Sequence, residues 1–252
     1  MIFFSITLLL FFSIHFNSYS QSLIAGIPSA DFVAHKEVEL THETQWNFWD
    51  SPNKWNSFNF MCYGIGNNAE LTLTINNLDN KTSKDLALGF GGKKVIDIFK
   101  KKHHLWEQKT ILGTNILYAT QPNNFGIWSY ALYSLRIPQL KTRLTGGISY
   151  GTSQIYGFRT KFIDNVKIET QTPNNIGTVL LGFEQPLTER LSFIADWYSG
   201  THALAAVISA IQYDIGNSVF ILGYKIANNK ESGSNALIFE LMINIPTKKN
   251  NH

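Results

Sequence analysis

The chain has 252 residues and a formal charge of +3, with 15% charged, 44% hydrophobic and 13% aromatic residues. Soluble domains carry about 25% charged residues, so this chain is poor in charge without being uniformly oily, as suits a protein that hides polar groups inside and shows apolar ones to something other than water. So small a charge, with no basic stripe interleaved with aromatics, excludes nucleic acid as an expected partner, and a lone cysteine, Cys62, excludes an internal disulfide and with it a small stapled secreted domain.

The first residues, MIFFSITLLLFFSIHFNSYSQS, are apolar from Ile2 to Ile14 and then turn small and polar. This pattern predicts a signal peptide over residues 1–20, cut near Ser20. No Lys or Arg precedes the apolar run, which leaves an uncleaved anchor as the alternative; the run is short for a spanning helix. Residues 21–35 read as a periplasmic lead-in, and from residue 36 the dominant period is two.

In KEVELTHETQWNF, Val38, Leu40, Trp46 and Phe48 share one parity, while Glu37, Glu39, Thr41, Glu43, Gln45 and Asn47 hold the other. A strand that long with two such different faces is a wall between two environments. The alternation recurs in ELTLTIN, in TRLTGGISYGT and in the last apolar segment, where Leu237, Phe239, Leu241, Ile243 and Ile245 oppose a face that carries Glu240. Strands are predicted near residues 36–48, 57–66, 69–77, 84–92, 107–118, 125–137, 141–152, 176–184, 189–199, 202–214, 218–227 and 235–246. These are about twelve, each close to the length of a tilted membrane strand.

The connections sort into mostly short turns on one rim, around residues 66–68, 138–139, 185–187 and 215–217, and longer loops on the other, above all residues 153–175. That asymmetry is the habit of outer-membrane barrels. The exception is FGGKKVIDIFKKKHHLW, which falls on the short-turn rim yet is long. It reads either as an amphipathic segment at the membrane surface, with Lys100, Lys101 and Lys102 toward lipid phosphates, or as a fourth strand that runs further.

LSFIADWYSGTHALAAVISAIQYDI, from Leu191 to Ile215, is apolar enough to suggest a spanning helix. As a helix it would leave Asp196, Gly200 and His202 at bilayer depth without a partner helix, which for Asp alone costs about 2.5 to 3.5 kcal/mol even on gentle scales. As a hairpin turning at Gly200, it puts Leu191, Phe193, Ala195 and Trp197 toward lipid and Ser192, Asp196 and Tyr198 toward the lumen. In the second strand, a lipid face of Ala203, Ala205, Val207, Ile211 and Tyr213 leaves His202, Leu204, Ala206, Ile208 and Ala210 inside. A lumen so apolar there would be narrow or plugged.

GIPSADFVAHKEVELTHETQW, with Pro28-Ser29-Ala30-Asp31 just ahead of the first strand, resembles the entry of small Gram-negative outer-membrane β-barrel proteins of an uncharacterised family. RIPQLKTRLTGGISYGT and ERLSFIADWYSGTHAL resemble later hairpins of the same kind of protein. The resemblance implies a barrel in the cell outer membrane, surrounded by its lipids and placed there by the insertion machinery. Such barrels usually end on an aromatic residue, whereas this chain runs on past Ile245 into PTKKNNH.

Lumen parity collects a charge array of Glu37, Glu39, Glu43, Arg143, Asp196, Lys225 and Glu240, with Arg136 a further candidate. The array reads as the selectivity filter of a narrow pore for small solutes, or as an internal salt-bridge plug in a barrel of limited bore. Ser199, His202 and Asp196 cluster at one rim, as a lipid hydrolase would need. A tight turn would bring Ser199 and His202 together in any hairpin, so no catalytic activity is expected. A surface binding protein using the 153–175 loop, with Tyr156, Phe158, Arg159 and Lys161, is a further alternative. No zinc spacing or phosphate loop is present, so neither metal nor cofactor is expected. The expected protein is all-β: a single antiparallel transmembrane β-barrel over residues 36–246, with 247–252 as a tail.

Overall fold

A computed structural model describes residues 23–49, 54–77, 86–99, 106–119, 124–156, 158–163, 166–171, 175–229 and 234–246. The expected signal peptide, the C-terminal tail, Lys100 to Lys102 and His103-His104 lie outside the described residues. The elements are β1 (Val38–Asn47), β2 (Lys54–Gly66), β3 (Ala69–Asn76), β4 (Ala87–Asp97), β5 (Glu107–Ala119), β6 (Asn124–Ile137), β7 (Thr142–Thr152), α1 (Ser153–Tyr156), β8 (Phe158–Ile163), β9 (Val166–Gln171), β10 (Asn175–Pro186), β11 (Leu191–Tyr198), β12 (Ala206–Ile215), β13 (Ser218–Ala227) and β14 (Ala236–Ile245).

Twelve of these strands close into one antiparallel barrel, β1-β14-β13-β12-β11-β10-β7-β6-β5-β4-β3-β2, and β8 and β9 form a separate hairpin. Pairing of Val38 with Ile245 through Trp46 with Leu237 shuts the seam between the first and last strands. Closure is what allows strands to cross a membrane, because no row of backbone N–H and C=O groups is left facing hydrocarbon. Among the described residues no helix is long and apolar enough to span.

The period-two alternation becomes two surfaces. Outward positions carry exposed Leu40, Leu73, Phe90, Ile148, Leu181, Leu222 and Phe239, among many others. A belt of that size on every strand is a lipid-facing surface, since apolar patches on soluble monomers seldom exceed a few hundred Å². Aromatics gather toward its two edges, with Trp46, Trp55 and Phe125 at one rim and Tyr63, Trp106 and Tyr213 at the other. The barrel is therefore transmembrane, with the faces of β1 and β11 as the parity predicts.

Turn chemistry explains the short rim. Asn67 and Asn68 both take positive φ between the paired Gly66 and Ala69, the two-residue type I′ turn that matches strand twist. Gly216 takes positive φ alone between Ile215 and Ser218, the type II′ arrangement.

Four expectations are corrected. β4 runs past the expected end at residue 92 to Asp97, with Val95 buried inside and Ile96 outside, so of the two readings of this segment the longer strand holds up to that residue. The 153–175 stretch holds α1 and the β8–β9 pair rather than an open loop. The β11–β12 connection spans residues 199–205 rather than turning at Gly200 alone, so Ala203 and Ala205 precede β12, and Ala205 is buried. Of the lead-in expected ahead of the barrel, residues 23–33 lie inside it, where Ile24, Ala25, Ile27, Ser29 and Ala30 are all fully buried, and Ala34 and His35 are exposed.

The lipid belt and the turns should differ sharply in their tolerance of charge. Leu222→Arg, at the middle of β13, is expected to destabilise the barrel by about 2–4 kcal/mol, and Asn217→Arg at the turn by about 0–1. Equilibrium urea unfolding in lipid vesicles measures both.

Candidate functional site: a lumen closed by the N-terminal segment

The N-terminal segment enters the barrel at the short-turn rim. There it pairs with β2: the Lys36 N–H donates to the Gly64 carbonyl at 2.7 Å and the Gly64 N–H to the Glu37 carbonyl at 3.1 Å. The crossing is possible because position 64 has no side chain; a Cβ there would fall 1.9 Å from the Ala34 carbonyl oxygen. The β2–β3 register shifts between Gly64 and Gly66, so the wall itself bulges beside the crossing.

Next to the entry, two charge clusters hold the segment. Arg143 donates to both carboxylate oxygens of Asp31, at 2.7 and 3.1 Å, and lies 3.5 Å from Glu184. Lys93 donates to the Asp31 carbonyl at 2.7 Å and pairs with Glu70 at 3.2 Å, while the other Glu70 oxygen accepts the Val33 N–H at 2.8 Å. Bidentate Arg–carboxylate geometry fixes orientation as well as charge.

Deeper in the lumen the segment reverses. Leu23 bridges Pro28, and the Ile24 N–H donates to the Ile27 carbonyl at 2.8 Å. The reversal turns the N–H groups of Ala25, Gly26 and Ile27 onto one oxygen of Asp196, at 3.2, 2.5 and 3.1 Å. Successive backbone N–H groups aimed at one point make a nest for an anion, here supplied by β11. The Tyr198 hydroxyl completes the clasp by donating to the Gly26 carbonyl at 2.8 Å.

Apolar packing backs these ties. Ile24 and Ile27 join Leu180, Ile194, Ile208, Ile238 and Met242 in one buried cluster inside the barrel. A Cβ at Gly182 would sit 2.5 Å from Ile24 and 2.8 Å from Ile27, so β10 is bare where the segment presses on it. Beside the segment remains a cavity of about 220 Å³, whose walls include Glu39, Glu43, Phe58, Phe60, Trp128, Tyr130 and Lys225.

The sequence-predicted charge array divides accordingly. Arg143 and Asp196 bind the plug. Glu37 sits at the entry, where its backbone rather than its carboxylate makes the contact with β2. Glu39, Glu43, Lys225 and Glu240 are buried on lumen-facing positions of β1, β13 and β14. Arg136 lies at the turn rim, 3.7 Å from Glu107. Sequence reasoning missed Asp31, Glu70, Lys93 and Glu184. Asp31 was legible only as part of the Pro28-Ser29-Ala30-Asp31 box, and Lys93 fell where the fourth strand was expected to have ended.

Ser199, His202 and Asp196 are not assembled as a relay. His202 Nε2 donates to the Ser199 carbonyl at 3.0 Å, Ser199 Oγ accepts the Val179 N–H at 2.7 Å, and Asp196 faces the plug. Tyr156, expected to be available to a ligand, is fully buried, with its hydroxyl 2.9 Å from Ser149 and its ring tilted against His202 at 4.4 Å between centroids. It anchors α1 inside the long-loop mouth of the barrel. The side chains of Phe158, Arg159 and Lys161 lie outside the described residues.

No family description matches the chain, and no curated protein does. Among solved structures it is similar to the translocator domain of the autotransporter NalP from Neisseria meningitidis, at 12% identity and a TM-score of 0.40, covering 84% of this chain and 88% of that one.

If the nest on Asp196 fastens the plug, Asp196→Ala should loosen it, because each buried N–H left without an acceptor costs about 1–3 kcal/mol. With Ile27→Cys in a Cys62→Ser background, a water-soluble maleimide should label residue 27 at least about tenfold faster once Asp196→Ala is added.

Proposed function

We propose that the chain is an exported outer-membrane protein whose barrel is a narrow, gated passage for small solutes, held shut by its own N-terminal segment. The short-turn rim faces the periplasm and the rim with the 153–175 excursion faces outward, following the asymmetry common to such barrels. The observation that carries this reading is residues 23–33 filling part of the lumen through apolar packing and a few polar ties, at Asp196, Arg143 and Glu70, rather than through continuous β-pairing. Ties of this kind can be exchanged for water, and the segment enters from the periplasmic rim, so it has a way out.

The mature chain reconstituted in a planar bilayer is expected to conduct little above the bare membrane. The combined Asp31→Ala and Asp196→Ala variant, shown to be folded, is expected to give discrete openings of small unit conductance. A folded variant as silent as the bare bilayer would leave a structural membrane role as the better account.

A further inference from the structure

The plug accounts for one part of the lumen and leaves a cavity unexplained. This cavity runs beside the segment, from Glu70 and Lys93 up to Ile155 and Leu204, along the inner faces of β1 to β6. Its walls are mainly apolar and aromatic, with Phe58 and Phe60 from β2, Leu117 from β5, and Trp128 and Tyr130 from β6. At about 220 Å³ it lies below the range of pockets that hold drug-sized ligands, which is roughly 300–1,000 Å³.

The charge beside it does not balance. Glu43 on the cavity wall stands directly opposite Glu240 on β14 in the barrel register. Glu240 is only 4% exposed, and neither of its carboxylate oxygens has a hydrogen-bond partner among the described residues. The basic group at that end is Lys225, whose contacts are to the Gln45 side-chain oxygen at 3.3 Å and the Ala203 carbonyl at 3.4 Å rather than to a carboxylate. Glu43 accepts the Gln45 side-chain N–H at 2.6 Å, but a buried carboxylate left as Glu240 is must either hold a proton or meet a cation.

An anionic head is disfavoured because Lys93 is already held by Glu70 and the Asp31 carbonyl. A metal ion is disfavoured too, because among the described residues no three His, Cys, Asp or Glu side chains converge as ligands. An organic ammonium fits both parts of the wall, since its charge can approach carboxylates and aromatic faces while its carbon chain lies along the rest. Trp128 Nε1 and Asn76 Oδ1, both buried and without hydrogen-bond partners among the described residues, would serve a second polar group on such a molecule.

We propose that this cavity binds a small organic ammonium ion, its head beside Glu43, which Glu240 adjoins across the β1–β14 register, and its carbon chain along Phe58, Phe60 and Leu117. The site depends on the folded barrel and not on passage through it. Ligand binding and conduction are separate measurements, so either can fail without the other.

The test uses full-length mature protein folded in detergent, with n-butylammonium as the probe and n-butanol and butyrate as matched controls, read by saturation-transfer NMR. Butylammonium is expected to bind in preference to both controls, and Glu43→Gln with Glu240→Gln to weaken it at least about tenfold while heat-modifiable mobility is retained. Equal binding of butanol would reduce the site to an apolar hole and overturn the proposal. So would undiminished binding in the folded double variant, or no binding of butylammonium to the folded wild type. If the double variant does not fold, the three-probe comparison on the wild-type chain still decides the question.

Discussion

Inside hydrocarbon a backbone N–H or C=O group has no water to turn to, and every other feature of this molecule follows from meeting that constraint with strands. Each strand needs two neighbours, so the first and last must pair, as β1 and β14 do from Val38 to Trp46. Closure then creates an interior. Twelve strands enclose more space than their own inward side chains fill on every side, and the protein fills part of it with its N-terminal segment. The glycines at 64 and 182 are the mark of this on the wall, bare backbone where the segment crosses or presses.

The two sides of the lumen solve the filling problem differently. On the β10 to β14 side, inward Leu180, Ile194, Ile208, Ile238 and Met242 pack with Ile24 and Ile27, and Asp196, Lys225 and Glu240 are set among them. On the β1 to β5 side, Glu39, Thr41, Glu43, Thr72, Thr74 and Gly89 share the inner wall with Phe58, Phe60 and Leu117, and the segment does not fill the space beside them. The division explains why Leu191 to Ile215 reads so nearly as a membrane helix. Its strands are apolar on both faces, one against lipid and one against the plug, so alternation is faint there and strong in β1.

That contrast also sets what could be read from the sequence alone. Strand number, order of parity and the difference between rims were legible because lipid on one side and polar groups on the other impose period two. The hairpin reading of residues 191–215 rested on Asp196, and its reason turned out to be specific: that carboxylate faces inward to receive three backbone N–H groups. The plug was not legible, because residues 23–35 carry no period and their partners, Gly64, Glu70, Arg143, Gly182 and Asp196, are scattered over 133 positions of sequence. Narrowness was foreseen from the apolar inner face of β12, but what narrows the bore was not. The limits of β4 and the β8–β9 pair were missed for a more local reason, since lysines inside a strand and a polar excursion both resemble loop.

The buried charges complete the contrast. Near the short-turn rim, Asp31, Glu70, Lys93 and Arg143 are mutually paired, and Arg143 also lies within reach of Glu184, whose other oxygen has no hydrogen-bond partner among the described residues. Toward the long-loop rim, Asp196 spends one oxygen on the plug and has the other unpartnered, and Glu240 has both unpartnered, with a lysine nearby that is bonded elsewhere. A protein optimised only for stability would not keep such carboxylates inside a membrane, because apolar residues of the same volume would serve as well or better. Departures from local consistency concentrate where a molecule does something. Here they lie on the lumen wall, where Glu240 stands opposite Glu43 and Glu43 lines the unfilled cavity.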